Sequence, residues 1–474
     1  MGHSKSLYML STTMMLQSFT YILYTGMLVM FMIEVLHFSN SFATYLYGIA
    51  IGATYFFQIL GGYLCDNYLG NRKAVMLGML LITISLLIFT YDASLYHIIH
   101  VHSHSTLLFS YAENIFLIGA CFMAFGVSFF KVSITSFVNL FYKDNEEALD
   151  SAFSLFYMFL NIGGFFAPLT ISFVVGVHHP ELYQNGFLIA FIVMLVGLLL
   201  FIALKNRFLV LPDGEPVGVV PTTKLKKLEE SKNKLDEHKK NISNKLSKIE
   251  IDRTKVIVLM LLAVIIYNIA YHQTFTSLIL FIENCVHKSL PILHFHLAPS
   301  AFLTLNPIFV ILLTPVQIKL FDMLAKRNRN VSSIAKIGIG LFMIFVSFAV
   351  LALVFAADDD SIIHMLWLVV FYFLLENAEL LIMPVSMSLI SKLAPERYIS
   401  SMIGIYYFIF GVASILGGYF ASAFPLYGAT KLLNLVPIPT IPAFLMSIAV
   451  LSIISAVIWF LLKGKIIKWS HGVE

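Results

Sequence analysis

The sequence contains few charged residues. Only 12% of its 474 residues are Asp, Glu, Lys or Arg, whereas an ordinary soluble domain carries about 25%. Apolar residues make up 59% of the chain. Runs of about 20 of them, enough to cross a hydrocarbon core, recur along its whole length. Most of the surface must therefore face lipid, which excludes a water-soluble domain.

Cysteines and hydrolase motifs are also scarce. Cys65, Cys121 and Cys285 lie far apart, so they indicate neither a disulfide framework nor a metal site. No H-E-x-x-H motif occurs, and no Gly-flanked serine has a clear base, which argues against a hydrolase or an oxygen-using di-iron enzyme. The first apolar run lacks a small-residue cleavage site and is predicted to be the first span. We expect no enzyme, no metal and no cofactor.

The apolar runs also lack the alternation of barrel strands. Only helices and closed barrels satisfy their backbone in lipid, and continuous runs such as 256–266 and 337–356 favour the helix. The predicted fold class is an all-α membrane protein with twelve transmembrane helices in two six-helix bundles. The spans are roughly 8–36, 42–63, 74–92, 107–141, 151–177, 184–205, 254–284, 297–323, 336–356, 363–392, 400–424 and 440–462.

A charged segment separates the first six spans from the last six. Residues 1–205 are predicted to form the N-terminal bundle, 206–253 a cytoplasmic linker, and 254–474 the C-terminal bundle with a short cytoplasmic tail. The linker contains KLKKLEESKNKLDEHKKNISNKLSKIE, where acids interleave with lysines. This pattern is typical of a solvated helical spacer, and it favours that reading over a nucleic-acid or calmodulin target. We expect no nucleic-acid partner.

The distribution of basic residues predicts the orientation. With both termini in the cytoplasm, all 30 Lys and Arg lie on that side or at its membrane boundary except Lys131, Lys288 and Lys431. This agrees with the positive-inside rule. Because no targeting signal is recognisable, the plasma (inner) membrane is the expected location, and a monomer surrounded by the lipid bilayer is the expected state.

The loop between the second and third spans carries a spaced motif, G-x-x-x-D-x-x-x-G-x-R-K. Its residues are Gly62, Asp66, Gly70, Arg72 and Lys73. The glycines permit a tight turn and close helix approach, while an acid and two bases at a membrane boundary can exchange partners when the halves rock. An ordinary basic loop that only sets topology is the alternative. The full spacing resembles the inner-loop motif of the major facilitator superfamily, which implies a gate.

Four stretches in separate spans resemble the proton-dependent oligopeptide transporter family. FSLFYMFLNIGGFFAPL places Asn161 at an asparagine of that family, and FFKVSITSFV places Lys131 at its lysine. LNPIFVILLTPV contains Asn306, and ENAELLIMPVSMSLISKLAP matches Glu379 to the family glutamate. The resemblance implies a two-bundle fold with alternating access and proton-coupled symport of a small peptide.

Span one departs from that family. Where its members carry E-x-x-E-R, this chain has Gln17, Thr20 and Tyr21. In the family those charges are tied to proton coupling and to holding a peptide's carboxylate. Their replacement leaves the identity of the transported solute open. Amides such as Gln17, Asn161 and Asn306 can bind an amine or a carboxylate without net charge. Interhelical hydrogen bonding is their alternative role.

Ionisable groups at membrane depth indicate function, because each costs about 2.5–3.5 kcal/mol on insertion scales. Glu376 and Glu379 are three residues apart on one side of a helix, and their mutual repulsion predicts a proton-coupling site. Lys131 is expected to pair with Glu379 or to hold an anionic group of the substrate, with a permanent structural ion pair as the alternative. His272 titrates near neutral pH and could replace part of the missing relay, or it packs as a hydrogen-bonded histidine.

The remaining histidines fall mostly outside the membrane. Eleven of the fifteen lie in predicted outer loops or at their membrane boundary, and the H-x-x-H-x-H-x-H spacing of 97–104 fits no defined zinc site. Solvated loop residues are therefore favoured over metal or pH sensing.

The predicted function is secondary active transport of a di- or tripeptide or another small zwitterion, driven by a proton gradient. Transport of a non-peptide metabolite or metal chelate in either direction, and a non-transporting sensor, are the alternatives.

Overall fold

The computed structural model describes most of the chain. The described residues are 5–95, 106–142, 146–176, 179–210, 216–221, 247–287, 289–290, 295–296, 298–327, 329, 331–357, 362–395, 399–426, 428, 430–432 and 435–472. The histidine tract 97–104 and the charged centre of the linker, 222–246, lie outside these ranges, so the predictions made for them are not addressed by the structure.

Helices dominate the described ranges. They are α1 (Lys5–Glu34), α2 (Asn40–Leu64), α3 (Asn71–Ser94), α4 (Thr106–Tyr142), α5 (Glu146–Val174), α6 (Tyr183–Phe208), α7 (Lys248–His272), α8 (Ser277–Cys285), α9 (Leu305–Lys326), α10 (Ser333–Ala356), α11 (Leu366–Leu393), α12 (Ile399–Ala421) and α13 (Ile441–Ser470). A π-helical turn, Cys65–Leu69, ends α2, and 3-10 turns lie at Pro180–Leu182, Gln273–Phe275 and Pro299–Thr304. Within the described residues, twelve helical segments are long and apolar enough to cross a membrane, which confirms the predicted number and the all-α class.

The helix ends follow from local sequence. Ser247 accepts a hydrogen bond from the Glu250 amide at 3.2 Å, and the Glu250 carboxylate accepts one from the Ser247 amide at 2.6 Å. This reciprocal capping box starts α7 six residues before the predicted span. At the other side of the linker, α6 runs on to Phe208. Both ends of the predicted linker are therefore helical extensions of neighbouring spans.

Short strand pairs lie in the connections between helices. β1 (Val286–His287) pairs in parallel with β4 (Ile363–His364). β2 (Ser289–Leu290) pairs with β3 (Phe295–His296), and β5 (Thr430–Leu432) with β6 (Val436–Ile438), both antiparallel. Each has at most three residues per strand, so these pairs tie loops together and add no layer to the fold.

The chain divides into two compact units. Unit 1 contains Met1–Phe38 and Ala53–Ile242, and unit 2 contains Ser39–Gly52 and Ser243–Glu474. The first part of α2 thus belongs with unit 2, where Ser414 donates its hydroxyl to the Gly48 carbonyl at 3.3 Å. The domain boundaries drawn from the sequence at 205 and 253 stay predictions.

Unit 1 is packed by aromatic rings and by close helix approach. Phe89 of α3 contacts the rings of Tyr24, Phe116 and Phe187 at 5.1 to 5.6 Å between centroids. At the crossing of α1 and α5, a Cβ on Gly163 would lie 2.3 Å from the Met15 carbonyl oxygen. Membrane helices associate through such contacts because lipid provides no hydrophobic driving force between them.

Unit 2 is organised around α7 and α10. α10 packs against α11 and α13, while α7 packs against α11, α12 and α13. Trp459 of α13 donates its indole N–H to the Ile334 carbonyl of α10 at 2.7 Å. α11, which carries both predicted acids, also packs against α9.

Candidate functional site

The two predicted acids lie in a partly buried polar cluster of unit 2. Glu376 is completely buried, and its carboxyl group is within hydrogen-bonding reach of that of Glu379. Asn306 donates its side-chain amide to Glu376 Oε1 at 2.8 Å, and Tyr267 donates its hydroxyl to Glu379 Oε2 at 2.9 Å. Because a hydrogen bond between two carboxyl groups requires a proton on one of them, this geometry suits a shared proton. The prediction that both acids project from one side of a helix agrees with this arrangement.

Two tyrosines that were not predicted from the sequence complete the acid cluster. Tyr267 and Tyr271 lie one turn apart on α7, with ring centroids 5.7 Å apart, and the Tyr271 hydroxyl accepts a second hydrogen bond from Asn306 at 3.1 Å. Their i, i+4 spacing in YNIAYHQTF was the available signal. We refer to Glu376, Glu379, Asn306, Tyr267 and Tyr271 as the acid cluster.

His272 lies beside the acid cluster but does not join it by a described hydrogen bond. The side chain is buried, and its Nδ1 has no hydrogen-bond partner among the residues that the structure describes. Its ring meets the edge of Tyr271 at 6.4 Å, and its Cβ packs where Gly417 leaves space. The geometry therefore gives His272 a packing role, and its predicted part in proton coupling stays a prediction.

Lys131 forms a separate site in unit 1. Its Nζ lies 4.8 Å from the centroid of the Tyr21 ring and 5.8 Å from that of Tyr55. Within the described part of unit 1 it forms no ion pair with a carboxylate. Aromatic faces attract a cation without neutralising it, so the ammonium group keeps its charge available for an anionic ligand. Pairing between Lys131 and Glu379 stays a prediction.

The two predicted amides of unit 1 are buried. Asn161 uses its Nδ2 in a hydrogen bond to the Tyr157 carbonyl of its own helix at 2.9 Å. Gln17 is 1% exposed, and its Nε2 has no partner among the residues described. Thr20 donates its hydroxyl to the Gln17 carbonyl at 2.9 Å. Neither amide contacts Lys131 through a described hydrogen bond, and their predicted role in substrate binding stays a prediction.

The inner-loop motif folds as a turn that is held by the start of the linker. Gly70 has φ 74°, a conformation that favours glycine, and a Cβ there would lie 2.8 Å from the Val219 carbonyl oxygen. Gly62 and Asp66 precede this turn at the end of α2, and Lys73 is exposed. The predicted turn is present at Gly70.

Arg72 has partners that the motif did not predict. Its guanidinium donates to the Val217 carbonyl at 2.7 Å, to the Asn206 side-chain oxygen at 3.1 Å and to the Leu209 carbonyl. The motif predicts that its acid and its two bases exchange partners, whereas the described partners of Arg72 are oxygen atoms at the end of α6 and in the linker. Arginine presents five donors in a fixed fork, which suits several carbonyl groups at once.

These features define a polytopic membrane transporter, with a cation site in one unit and an acid cluster in the other. The profile of the Major Facilitator Superfamily matches residues 10–418, and the chain belongs to this superfamily. Curated relatives and solved structures confirm the resemblance to the proton-dependent oligopeptide transporter family.

Curated relatives are peptide carriers. The chain is 26% identical to "Peptide transporter YePEPT" of Yersinia enterocolitica over 432 residues, which cover 79% of this chain and 78% of that protein. It is 26% identical to "Dipeptide and tripeptide permease A" of Escherichia coli over 448 residues, with 88% and 84% covered.

Solved structures share the fold. A crystal structure of a peptide transporter POT in complex with sulfate gives a TM-score of 0.81 at 21% identity, covering 99% of this chain and 96% of that one. A POT family transporter in complex with 5-aminolevulinic acid gives a TM-score of 0.80 at 18% identity, with 98% and 97% covered. At this identity the likeness establishes the fold alone.

Proposed function

We propose that this chain is a proton-coupled carrier of di- or tripeptides or similarly small zwitterionic solutes. The acid cluster carries the proposal, because a completely buried carboxyl group beside a partly buried one suits both a proton and a substrate ammonium group. Two adjacent carboxylates repel each other, which favours one proton held between them. One proton on the pair leaves a single negative charge, which suits the substrate ammonium group, so the proton and the solute are bound together.

Lys131 supports a zwitterion on independent grounds. An ammonium group without an ion-pair partner in its described surroundings suits a substrate carboxylate through a charge-assisted hydrogen bond. Unit 1 therefore offers chemistry for the carboxylate of an amino-acid-like solute. The relatives named for peptide transport point to the same class.

A second cargo class follows from span one. Thr20 is completely buried and bonded to the backbone of its own helix, and Gln17 beside it is neutral. The charged residues that the family carries here are replaced by neutral ones. A shorter zwitterion without a peptide bond is therefore the alternative cargo, and one structural neighbour is described with 5-aminolevulinic acid bound.

The remaining predictions fit this proposal. The carrier needs no cofactor and has no catalytic activity, since a proton gradient supplies the energy. We place it in the plasma (inner) membrane as a monomer with both termini in the cytoplasm, as the basic residues indicate.

The experiment is uptake of labelled di-alanine into proteoliposomes, with and without an inward proton gradient. We expect gradient-driven accumulation by the wild type and its loss in Glu379→Gln and Glu376→Gln. Glu113→Gln, which neutralises an exposed acid on α4, is the matched control and should transport normally. If a pool of other zwitterions accumulates while di-alanine does not, the second cargo class replaces the first. Absence of gradient-driven flux for all of them contradicts the proposal.

A further inference from the structure

A cleft of about 460 Å³ opens in unit 2, where α7 begins and α13 ends. Nearly all of its wall is apolar. The residues that line it are Ile251, Thr254, Lys255, Val258, Leu259, Leu462 and Trp469. Val258 lies in a membrane-spanning helix and is 51% exposed, so this wall is open to the lipid. The predicted spans start at 254 and end at 462, so this cleft, which we call the inner cleft, lies at the cytoplasmic boundary of the membrane.

Lys255 is positioned at the inner cleft by two contacts. Its Nζ donates to Asp252 Oδ1 at 2.8 Å and lies 5.3 Å from the centroid of the Trp469 ring. His471 lies 3.3 Å from the other oxygen of Asp252. The side chain of Lys255 is 50% exposed, and its ammonium group has three donors, of which the described hydrogen bond uses one. A charged donor is therefore held at the mouth of an apolar cleft.

Further basic residues border the inner cleft. Lys248 precedes Ile251 by three residues, and Lys465 lies three residues after Leu462 and four before Trp469, so helical spacing places both on the lining faces. Both are exposed. Residues 247–255 and 463–470 carry six basic and two acidic side chains, a net charge of +4. The positive charge at the mouth complements an anion whose remaining part is apolar.

We propose that the inner cleft binds one anionic phospholipid of the cytoplasmic leaflet. An acyl chain packs along Val258 and Leu462, while the phosphate group accepts hydrogen bonds from Lys255. Trp469 lies at the headgroup depth that tryptophan favours at membrane interfaces. A zwitterionic lipid makes the same apolar contacts with the cleft but has no net charge to interact with the lysines. A soluble phosphate interacts with the lysines but makes no apolar contacts.

The test uses the quenching of Trp469 fluorescence by lipids with brominated acyl chains. The full chain is reconstituted in vesicles of phosphatidylcholine that contain increasing fractions of brominated phosphatidylglycerol or brominated phosphatidylcholine. The Trp469 signal is the difference between the wild type and Trp469→Phe, because Trp367 and Trp459 contribute to both. We expect the anionic lipid to quench this signal at several-fold lower mole fraction than the zwitterionic lipid.

Charge variants show which residues cause the preference. One basic side chain near an anionic lipid surface changes affinity by about fivefold, so Lys255→Gln should reduce the selectivity by about that factor. Lys465→Gln should act in the same direction and serves if Lys255→Gln is poorly folded. Lys336→Gln is the matched control, because Lys336 also lies over a ring, that of Phe321 at 4.2 Å, but does not line the inner cleft. Equal quenching by both lipids, or unchanged selectivity in both cleft variants, overturns the proposal.

Discussion

Asn306 of α9 and Glu376 of α11 are joined by a hydrogen bond of 2.8 Å between the side-chain amide and a completely buried carboxyl group. The same amide also donates to the Tyr271 hydroxyl at 3.1 Å. One asparagine therefore connects three helices through two donors. The loss of a hydrogen-bond donor to a buried carboxyl group costs free energy. Asn306 therefore fixes both the position and the charge of the acid cluster.

Replacement of Asn306 should weaken both stability and proton coupling. We expect Asn306→Ala to lower the free energy of unfolding by about 1–3 kcal/mol, since Glu376 and Tyr271 lose their shared donor. It should also shift the pH dependence of uptake, because the donor acts on one member of the carboxyl pair. Thermal unfolding and a pH profile of di-alanine uptake measure the two effects.

The control for Asn306 is another asparagine of unit 2. Asn268 is buried and donates only to the Val264 carbonyl of its own helix among the described contacts, at 2.9 Å. Asn268→Ala should leave the pH profile unchanged. An Asn306→Ala profile that coincides with the wild type would show that this amide does not influence the carboxyl pair.

Lys131 should select substrates by their carboxylate. We expect Lys131→Gln to raise the KM for di-alanine by about tenfold or more, as the loss of a hydrogen bond to a charged group implies. Uptake of di-alanine amide, which lacks the carboxylate, should change little. Competition of both compounds against a labelled substrate measures this difference. If both compounds weaken equally, Lys131 supports the structure of unit 1 and does not contact the carboxylate.

The ring of Tyr21 should matter more than its hydroxyl group. Tyr21→Phe keeps the aromatic face 4.8 Å from the Lys131 ammonium, whereas Tyr21→Leu removes it. We expect Tyr21→Leu to raise the KM for di-alanine by about threefold, in the lower range of a cation–π contact, and Tyr21→Phe to leave it unchanged. The opposite order of the two variants would assign the effect to the hydroxyl group.

The number of spans and the shared helix face of the two acids could be predicted, because each depends on the local spacing of residues. Apolar length predicts a span, and an i, i+3 spacing places Glu376 and Glu379 on one side of α11. The partners of Arg72 could not be predicted in this way. Two of them are backbone carbonyl groups, at Leu209 and Val217, and a carbonyl acceptor leaves no mark in the side-chain sequence. The donation of Tyr267 to Glu379 joins residues 112 positions apart, which requires the tertiary fold.

Gly163 and Gly164 should differ sharply in their tolerance of a methyl group. A Cβ on Gly163 would lie 2.3 Å from the Met15 carbonyl oxygen and 2.9 Å from the Phe19 nitrogen, so α1 must move. On Gly164 the described contact is the tip of the Ile22 side chain at 3.0 Å, which can rotate away. We expect Gly163→Ala to lower the free energy of unfolding by about 1–3 kcal/mol and Gly164→Ala by much less. Equal unfolding midpoints for the two variants would contradict the close approach of α1 and α5.

Arg72 should hold the start of the linker on unit 1. Removal of its guanidinium takes away the donors to Val217, Asn206 and Leu209, each bond to a charged donor being worth about 1.5–3 kcal/mol. The Val217 amide, bonded to the Leu209 carbonyl at 3.1 Å, reports on this segment by hydrogen exchange. We expect Arg72→Ala to accelerate its exchange by about tenfold or more. Arg72→Lys should give an intermediate value because an ammonium group cannot reproduce the planar fork. Lys73→Ala, which removes the exposed neighbouring charge, should leave the exchange rate unchanged. If the Val217 amide exchanges at the same rate in both alanine variants, the linker is held by its backbone contacts and not by Arg72.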